Sequence, residues 1–262
     1  MDTRAGAGYP QAGDRAEPEA GWEKTVTEVD WQASTDPEKM QEFLQGKASD
    51  RKLRYFLVAC ARRILPRSPD EDEIEVLAVA ERFADGTESR NRLARARSSL
   101  KEGQPARALR WPLLYTDQIS SVPAWHASRD QIVRAASEGA RTCVWKSVWT
   151  SFTSFDKAAA ALDFQRAAQA WLLRDMFGNP FHPVSLDSAV LTWNDAIVVR
   201  LAQAAYEERQ MPGGTLDNGR LAVLSDALEE AGCANADILS HCRSGGDHVR
   251  GCWVVDLVLG KS

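Results

Sequence analysis

The chain has 262 residues, a net charge of −5, a pI near 5.5, and 44% hydrophobic against 26% charged residues. That length suits one large domain or two small ones, and the composition is ordinary for a globular protein. The acidic balance argues against a dedicated nucleic-acid binder, and no run approaches the roughly eighteen apolar residues of a membrane-spanning helix.

Residues 1–24 are rich in Gly, Ala, Pro and charge and lack an apolar stretch. They read as a disordered tail and not as a secretory signal. Order is expected from about residue 25 to 262 as a single helical domain, with a subdivision conceivable near 103–128. Thr35-Asp36-Pro37-Glu38 opens a short helix that ends near Gly46: a capping residue, then Pro and an acid in the first turn. Ser49-Asp50 caps a second, whose apolar positions Leu53, Phe56, Leu57, Cys60 and Ile64 follow helical spacing until Pro66 stops it. Ser68-Pro69 opens a third, with Val76, Val79, Ala80 and Phe83 on one face and Asp85-Gly86 at its end. A fourth runs from about Glu88 to Lys101.

Pro105, Pro112 and Pro123 make residues 103–128 a long connection, and Ser128-Arg129-Asp130 starts a helix reaching Trp149. Asp156 to Phe177 is the clearest helix, Ala-rich, with Phe164, Ala168, Trp171 and Leu172 at helical spacing; Gly178-Asn179-Pro180 ends it. Further helices are expected over Asn194–Arg209, Gly219–Ala231 and Asn235–Cys242. The closing run Cys252–Leu259 is a buried helix or a buried strand; periodicity does not decide, and we favour helix. With no strand alternation elsewhere, the fold class is all-α: a multi-helix bundle or array of helical hairpins with at most one short strand pair.

Charge falls in blocks. Arg51, Lys52, Arg54, Arg62, Arg63 and Arg67 form a basic stretch over 51–67; an acidic helix follows; Arg90, Arg92, Arg95, Arg97, Lys101, Arg107 and Arg110 form a second basic stretch over 90–110. Two basic helices would suit phosphate contacts, but the acidic helix between them would repel a nucleic acid. Mutual neutralisation across hairpins is the favoured reading.

The densest chemistry is C-terminal. Cys233, His241, Cys242, His248 and Cys252 crowd into a short segment. Three readings stand. The first is a zinc site, structural or catalytic: His248 and Cys252 are spaced i,i+4, which places both on one helix face, and Cys233 with His241 or Cys242 would complete a tetrahedron. No Cys-x-x-Cys knuckle supports it. The second is a Cys252 nucleophile with His248 as base and Asp256 a turn further on. The third, which the residues favour, is core packing, with the cysteines as small apolar fillers, Asp247 as a helix cap, and Asp256 as a buried acid paired with Arg243, Arg250 or a distant Arg.

Elsewhere no phosphate loop, Gly-x-Ser-x-Gly elbow or His-Glu-x-x-His occurs. Met211-Pro212-Gly213-Gly214 reads as a turn, and His126 as a loop residue. The corner Gly178 to Val184 should dock Phe181 into the core, with a minor binding claim for Asn179 and His182.

Four stretches taken together are familiar: Thr35-Asp36-Pro37 through Gly46-Lys47-Ala48-Ser49-Asp50-Arg51-Lys52-Leu53-Arg54; Glu81-Arg82-Phe83-Ala84-Asp85-Gly86; Leu172 through Phe181; and Asp226 through Cys233 on to His248-Val249-Arg250-Gly251-Cys252-Trp253. The chain resembles a large family of uncharacterised bacterial paralogues abundant in planctomycetes, over about Val26 to Lys261, with residues 104–155 matching least. The resemblance implies a cytoplasmic bacterial helical domain and carries no activity, cofactor or catalytic residue.

With no catalytic set assembled, the leading expectation is a non-enzymatic module that binds another protein, using Trp111, Trp125, Trp145 and Trp149 from a chain with nine tryptophans. Zinc binding by the C-terminal cluster is the alternative, and nucleic-acid binding through the basic helices a weaker one. No catalytic residue and no resident cofactor are expected beyond that zinc. Five unevenly placed cysteines do not form a disulfide framework, so a reducing cytoplasm is expected.

Overall fold

The computed structural model describes residues 26–65, 68–100, 136–141, 143 and 155–261. The described residues are mostly helical and contain no strand; the isolated bridges Gln210–Thr215 and Thr215–Val249 are the trace of extended pairing. The all-α expectation holds. The expected tail at 1–24, the connection at 103–128, and Arg67, Lys101, Arg107, Arg110, Trp111, Trp125, His126, Trp145 and Trp149 lie outside the described residues.

Capping sets the N-terminal boundaries. Thr27 and Asp30 form a capping box at α1 (Glu28–Ala33), and Asp36 followed by Pro37 opens α2 (Pro37–Phe43). Ser49 accepts from the Lys52 amide at the start of α3 (Asp50–Arg63). Asp70 and Glu73, not Ser68-Pro69, cap α4 (Glu71–Ala84), and Ser89 caps α5 (Arg90–Ser99). The apolar stripes of α3, α4 and α5 meet through Val58, Ala61, Leu77, Ala80 and Leu93, all essentially solvent-free. Each such Val or Leu contributes about 1.5–3 kcal/mol by leaving water.

Next comes α6 (Phe155–Phe177). It packs on α2 and α3 through Ala170, Leu172, Leu173 and Met176, which meet Trp31, Met40, Tyr55 and Phe56. This register turns Phe164 outward, 66% exposed, and corrects its expected place on the core face. Trp31 donates its indole N–H to the Gly178 carbonyl at 2.9 Å, and Phe181 stacks on Phe43 at 4.9 Å, as the rigid corner predicts.

The C-terminal part adds α7 (Ser188–Glu207), α8 (Asn218–Glu230), α9 (Ala236–Arg243) and α10 (Trp253–Val258). α7 begins at its Asp187 cap, earlier than expected, and is broken where Asn194, Asp195 and Ala196 take φ of 47°, 55° and 57°. Asn and Asp tolerate that left-handed backbone; Ala196 bears a cost of about 1–2 kcal/mol. The closing run is a helix that packs on α7, α9 and α6, with Val254, Val255 and Val258 buried.

Asp256 is buried, as anticipated, but its cationic partners are distant. Arg51 donates to it at 2.7 and 3.2 Å, Lys52 Nζ lies at 3.1 Å, and the Tyr206 hydroxyl donates at 2.7 Å. Arg243 instead pairs with Asp226 and Glu229, and Arg250 with Asp85. Asp247 does not cap α10: it takes Arg63 at 3.0 Å, and Cys252 stands at the cap without a side-chain bond. The described basic residues of α3 are all engaged within the protein: Arg51 and Lys52 at Asp256, Arg54 at Asp50, Arg62 at Glu81 and Arg63 at Asp247.

Candidate metal centre

Three segments converge near the end of α6. Asp175 lies on the buried face of that helix beside Leu172 and Met176, and is 1% exposed. Asn235 caps α9 by accepting from the Asp237 and Ile238 amides; burial of Ile238 and Cys242 then sets the face on which His241 sits, in the last turn. The chain leaves α9 through Ser244 and passes under the Trp171 indole at Gly246, where any Cβ would lie inside the ring. It then closes a tight turn, with the Cys252 amide donating to the Val249 carbonyl at 2.9 Å and Gly251 at φ +100°. His248 immediately precedes that turn and Cys252 ends it. The sequence paired these residues through a helix face; the pairing is present, but a turn makes it.

The donor atoms of Asp175, His241, His248 and Cys252 all lie within 4.8 Å of one another. His248 Nδ1 is 2.6 Å from Asp175 Oδ1. His241 Nε2 is 3.3 Å from that same oxygen and 3.1 Å from Cys252 Sγ. A tetrahedral zinc with bonds of about 2.0–2.3 Å spaces its ligands by roughly 3.3–3.8 Å; the His241–Asp175 and His241–Cys252 separations lie at or just under that range, and the His248–Asp175 pair is closer, at hydrogen-bond distance. Outer contacts orient them. Asp175 Oδ2 accepts from the Val249 amide at 3.0 Å, and His248 Nε2 lies 3.0 Å from Ser244 Oγ and 3.3 Å from its carbonyl. An imidazole whose second nitrogen is held by a carbonyl is the usual arrangement of a metal-bound histidine.

The electrostatics follow from burial. Desolvation alone would raise the Asp175 carboxyl, but hydrogen bonds from His241 and His248 outweigh it and hold it down at about 2. Burial pulls His248 the other way from its ordinary 6.5, and its bond to Asp175 wins and raises it. The Cys252 thiol is pushed well up by burial, with Asp175 and Cys242 adding to the effect. These shifts favour an ionised Asp175 carboxylate, a more basic His248 and a protonated Cys252 thiol.

This geometry does not suit nucleophilic catalysis. In a nucleophile–base–orienter relay the base uses one nitrogen for each neighbour. Here the single atom His241 Nε2 faces both Cys252 and Asp175, and Cys252 is fully buried. Asp256, the third member of the catalytic reading, belongs to the Arg51 ion pair instead. The four ligand atoms instead lie within 4.8 Å of one another, a spacing that one cation can bridge.

Of the five expected ligands, His241, His248 and Cys252 come together. Cys233 and Cys242 sit in the C-terminal core with Leu228 and Ile238, where burial lifts the Cys242 thiol to about 12. All five cysteines are free and buried. Asp175, the fourth donor, was missed by the sequence reading. Its one sequence signal is an acid on the apolar face of a long helix, between Leu173 and Met176. Asn179 and His182 both bind Glu28, at 2.6 and 3.0 Å, and fasten the corner to α1.

The chain matches no family model, and neither curated proteins nor solved structures show a significant similarity to it. No described helix is long and apolar enough to cross a membrane.

Proposed function

We propose that this chain is a non-enzymatic helical domain whose C-terminal segment is fastened by a structural divalent metal ion, zinc by its donor chemistry, held by Asp175, His241, His248 and Cys252. The observation that carries this reading is the convergence of four donor atoms from three segments within 4.8 Å, with three of the residues solvent-free. Two imidazoles, one thiolate and one carboxylate suit zinc, and the two anionic donors neutralise a dication in a site where net charge is costly. Four protein ligands leave no open position for a substrate, so the role is structural. Metal binding would draw the proton off Cys252, whose burial otherwise keeps it a thiol.

Docking to another protein, the leading expectation from sequence, rests on Trp111, Trp125, Trp145 and Trp149, which lie outside the described residues. The internal pairing of the α3 cations weighs against phosphate binding. The uneven spacing of the five cysteines supports a reducing cytoplasm, and the four sequence stretches support kinship with the planctomycete-type paralogues.

Cobalt(II) titration of metal-free protein tests the reading. A stoichiometric endpoint with visible tetrahedral d–d bands and a thiolate-to-cobalt charge-transfer band, the latter lost in Cys252→Ser, is expected. Octahedral spectra, or an unchanged charge-transfer band in Cys252→Ser, would overturn it.

A further inference from the structure

A second, unrelated feature lies between α3, α4 and the 209–214 turn. A cavity of about 10 Å³ is walled by Tyr55, Arg62, Glu81, Arg209, Gly214 and Arg250. The pocket is partly open to solvent, so its occupant is not confined to that volume. Three guanidinium groups and one carboxylate face it, and the carboxylate is already spent. Glu81 Oε1 accepts from Arg62 Nε and Arg209 Nη1, both at 2.9 Å, and Oε2 accepts from Arg209 Nη2 at 2.8 Å.

Two guanidinium nitrogens of the residues that line it have no acceptor. Arg62 Nη2 and Arg250 Nε are buried and make no hydrogen bond. The Arg62 side chain is only 3% exposed, and its other nitrogens are taken by Glu81 and by the Pro212 carbonyl at 2.7 Å. Gly214 makes room for it, since a Cβ there would stand 2.7 Å from Arg62 Cδ. An N–H of a buried cation without an acceptor is among the most unfavourable groups a core can hold.

The charges do not balance either. One closed set of ion pairs joins Glu81 to Arg62 and Arg209. The other joins Asp85 and Asp256 to Arg51, Lys52 and Arg250. Each set carries one more cation than carboxylate, and the cavity lies where Arg250 of the second set meets Arg62 and Arg209 of the first.

We infer that this half-open pocket is a binding site for one small monovalent anion, such as a halide, seated at its mouth and taken by Arg62 Nη2 and Arg250 Nε. An anion satisfies both orphan donors and offsets the local positive excess; a water molecule would satisfy donors without offsetting charge. Because the site joins α3 and α4 to the 209–214 turn and to Arg250, occupancy stabilises the contact between the N-terminal hairpins and the C-terminal segment.

The test uses the full chain at fixed ionic strength, with sodium isethionate, too large to enter, exchanged stepwise for sodium chloride or bromide. A saturable rise in Tm of roughly 2–5 °C is expected with either halide. Arg250→Gln removes one donor, leaves the Arg62–Glu81 pair intact, and should abolish most of the response while the protein still folds. Crystals grown in bromide should give an anomalous peak within bonding distance of Arg62 Nη2. The same Tm in isethionate and halide overturns the inference, as does an undiminished response in Arg250→Gln. A bromide peak accompanied by flat melting is binding at crystal concentration only, and overturns it too.

Discussion

His248 and Asp175 meet at 2.6 Å across 73 residues of sequence, and neither side chain reaches solvent. The contact ties the loop after α9 to the end of α6 and places two donors of the centre side by side. A buried charged pair of this kind is weak evidence for stability by itself, because desolvation offsets most of the attraction. A dication shared by four donors is a better reason for keeping these groups in a dry core.

The cysteines differ in their polar contacts. All three C-terminal cysteines belong to one apolar cluster, but Cys252 also lies 3.1 Å from His241 Nε2. Cys252→Ser is expected to weaken metal affinity at least tenfold, while Cys242→Ser leaves affinity unchanged and costs stability, about 1–3 kcal/mol for a buried hydroxyl. Competition with a chromophoric chelator and urea unfolding of the two variants check the split.

Gly246 is expected to be irreplaceable by alanine. The Trp171 indole fills the space a methyl group would need. Gly246→Ala must move the loop that carries His248, so it should lower both Tm and metal affinity. Gly245→Ala, one residue away and with nothing within 4 Å, should change neither. A pair of thermal melts with and without zinc distinguishes them.

Three of the four clustered residues were readable because crowding of Cys and His is visible along a chain. Asp175 was not, since its partnership depends on how α6 lies against the last turn of α9, a tertiary fact. The spacing of His248 and Cys252 pointed to the right pair through the wrong backbone: Gly251 at positive φ breaks the helix that spacing alone implied and closes a turn instead. Helix positions were legible wherever a cap was strong, as at Asp36-Pro37, Ser49 and Asn235. They drifted where two capping patterns competed, as at Ser68 and Asp70. Phe164 shows why composition misleads in an Ala-rich helix: several faces are apolar enough, and packing against α2 and α3 chooses among them.

The partners of Asp256 make a graded prediction. Arg51→Met alone leaves Lys52 and Tyr206 on the carboxylate, so the loss should be modest, about 1–2 kcal/mol. Replacing both Arg51 and Lys52 by Met strands the charge and should cost about 3–5 kcal/mol. Asp256→Leu, which leaves Arg51 with Asp85 and Lys52 with the Met176 and Gly251 carbonyls, should be tolerated better than that double variant. Urea denaturation of the three proteins gives the order.

Acid stability should carry the mark of Glu81. Burial alone would raise its carboxyl, but the bonds and charges of Arg209 and Arg62 hold it below its ordinary 4.5. A depressed folded-state value means the native state binds its proton less readily than the unfolded chain. The stabilisation is complete above the ordinary value of 4.5 and is lost as pH falls through the lowered one. Glu81→Gln should lower stability at neutral pH and flatten its fall below that value. Equal acid slopes in the two proteins would show that Glu81 does not titrate on unfolding.

The most direct measurement is metal content by elemental mass spectrometry, on protein purified without a chelator or a histidine tag. The account predicts close to one zinc per chain, lost in Asp175→Ala and Cys252→Ala and retained in Cys233→Ala. Wild-type protein that folds in excess chelator with an unchanged Tm and carries no metal would contradict it, and would leave the four side chains as a buried hydrogen-bonded cluster.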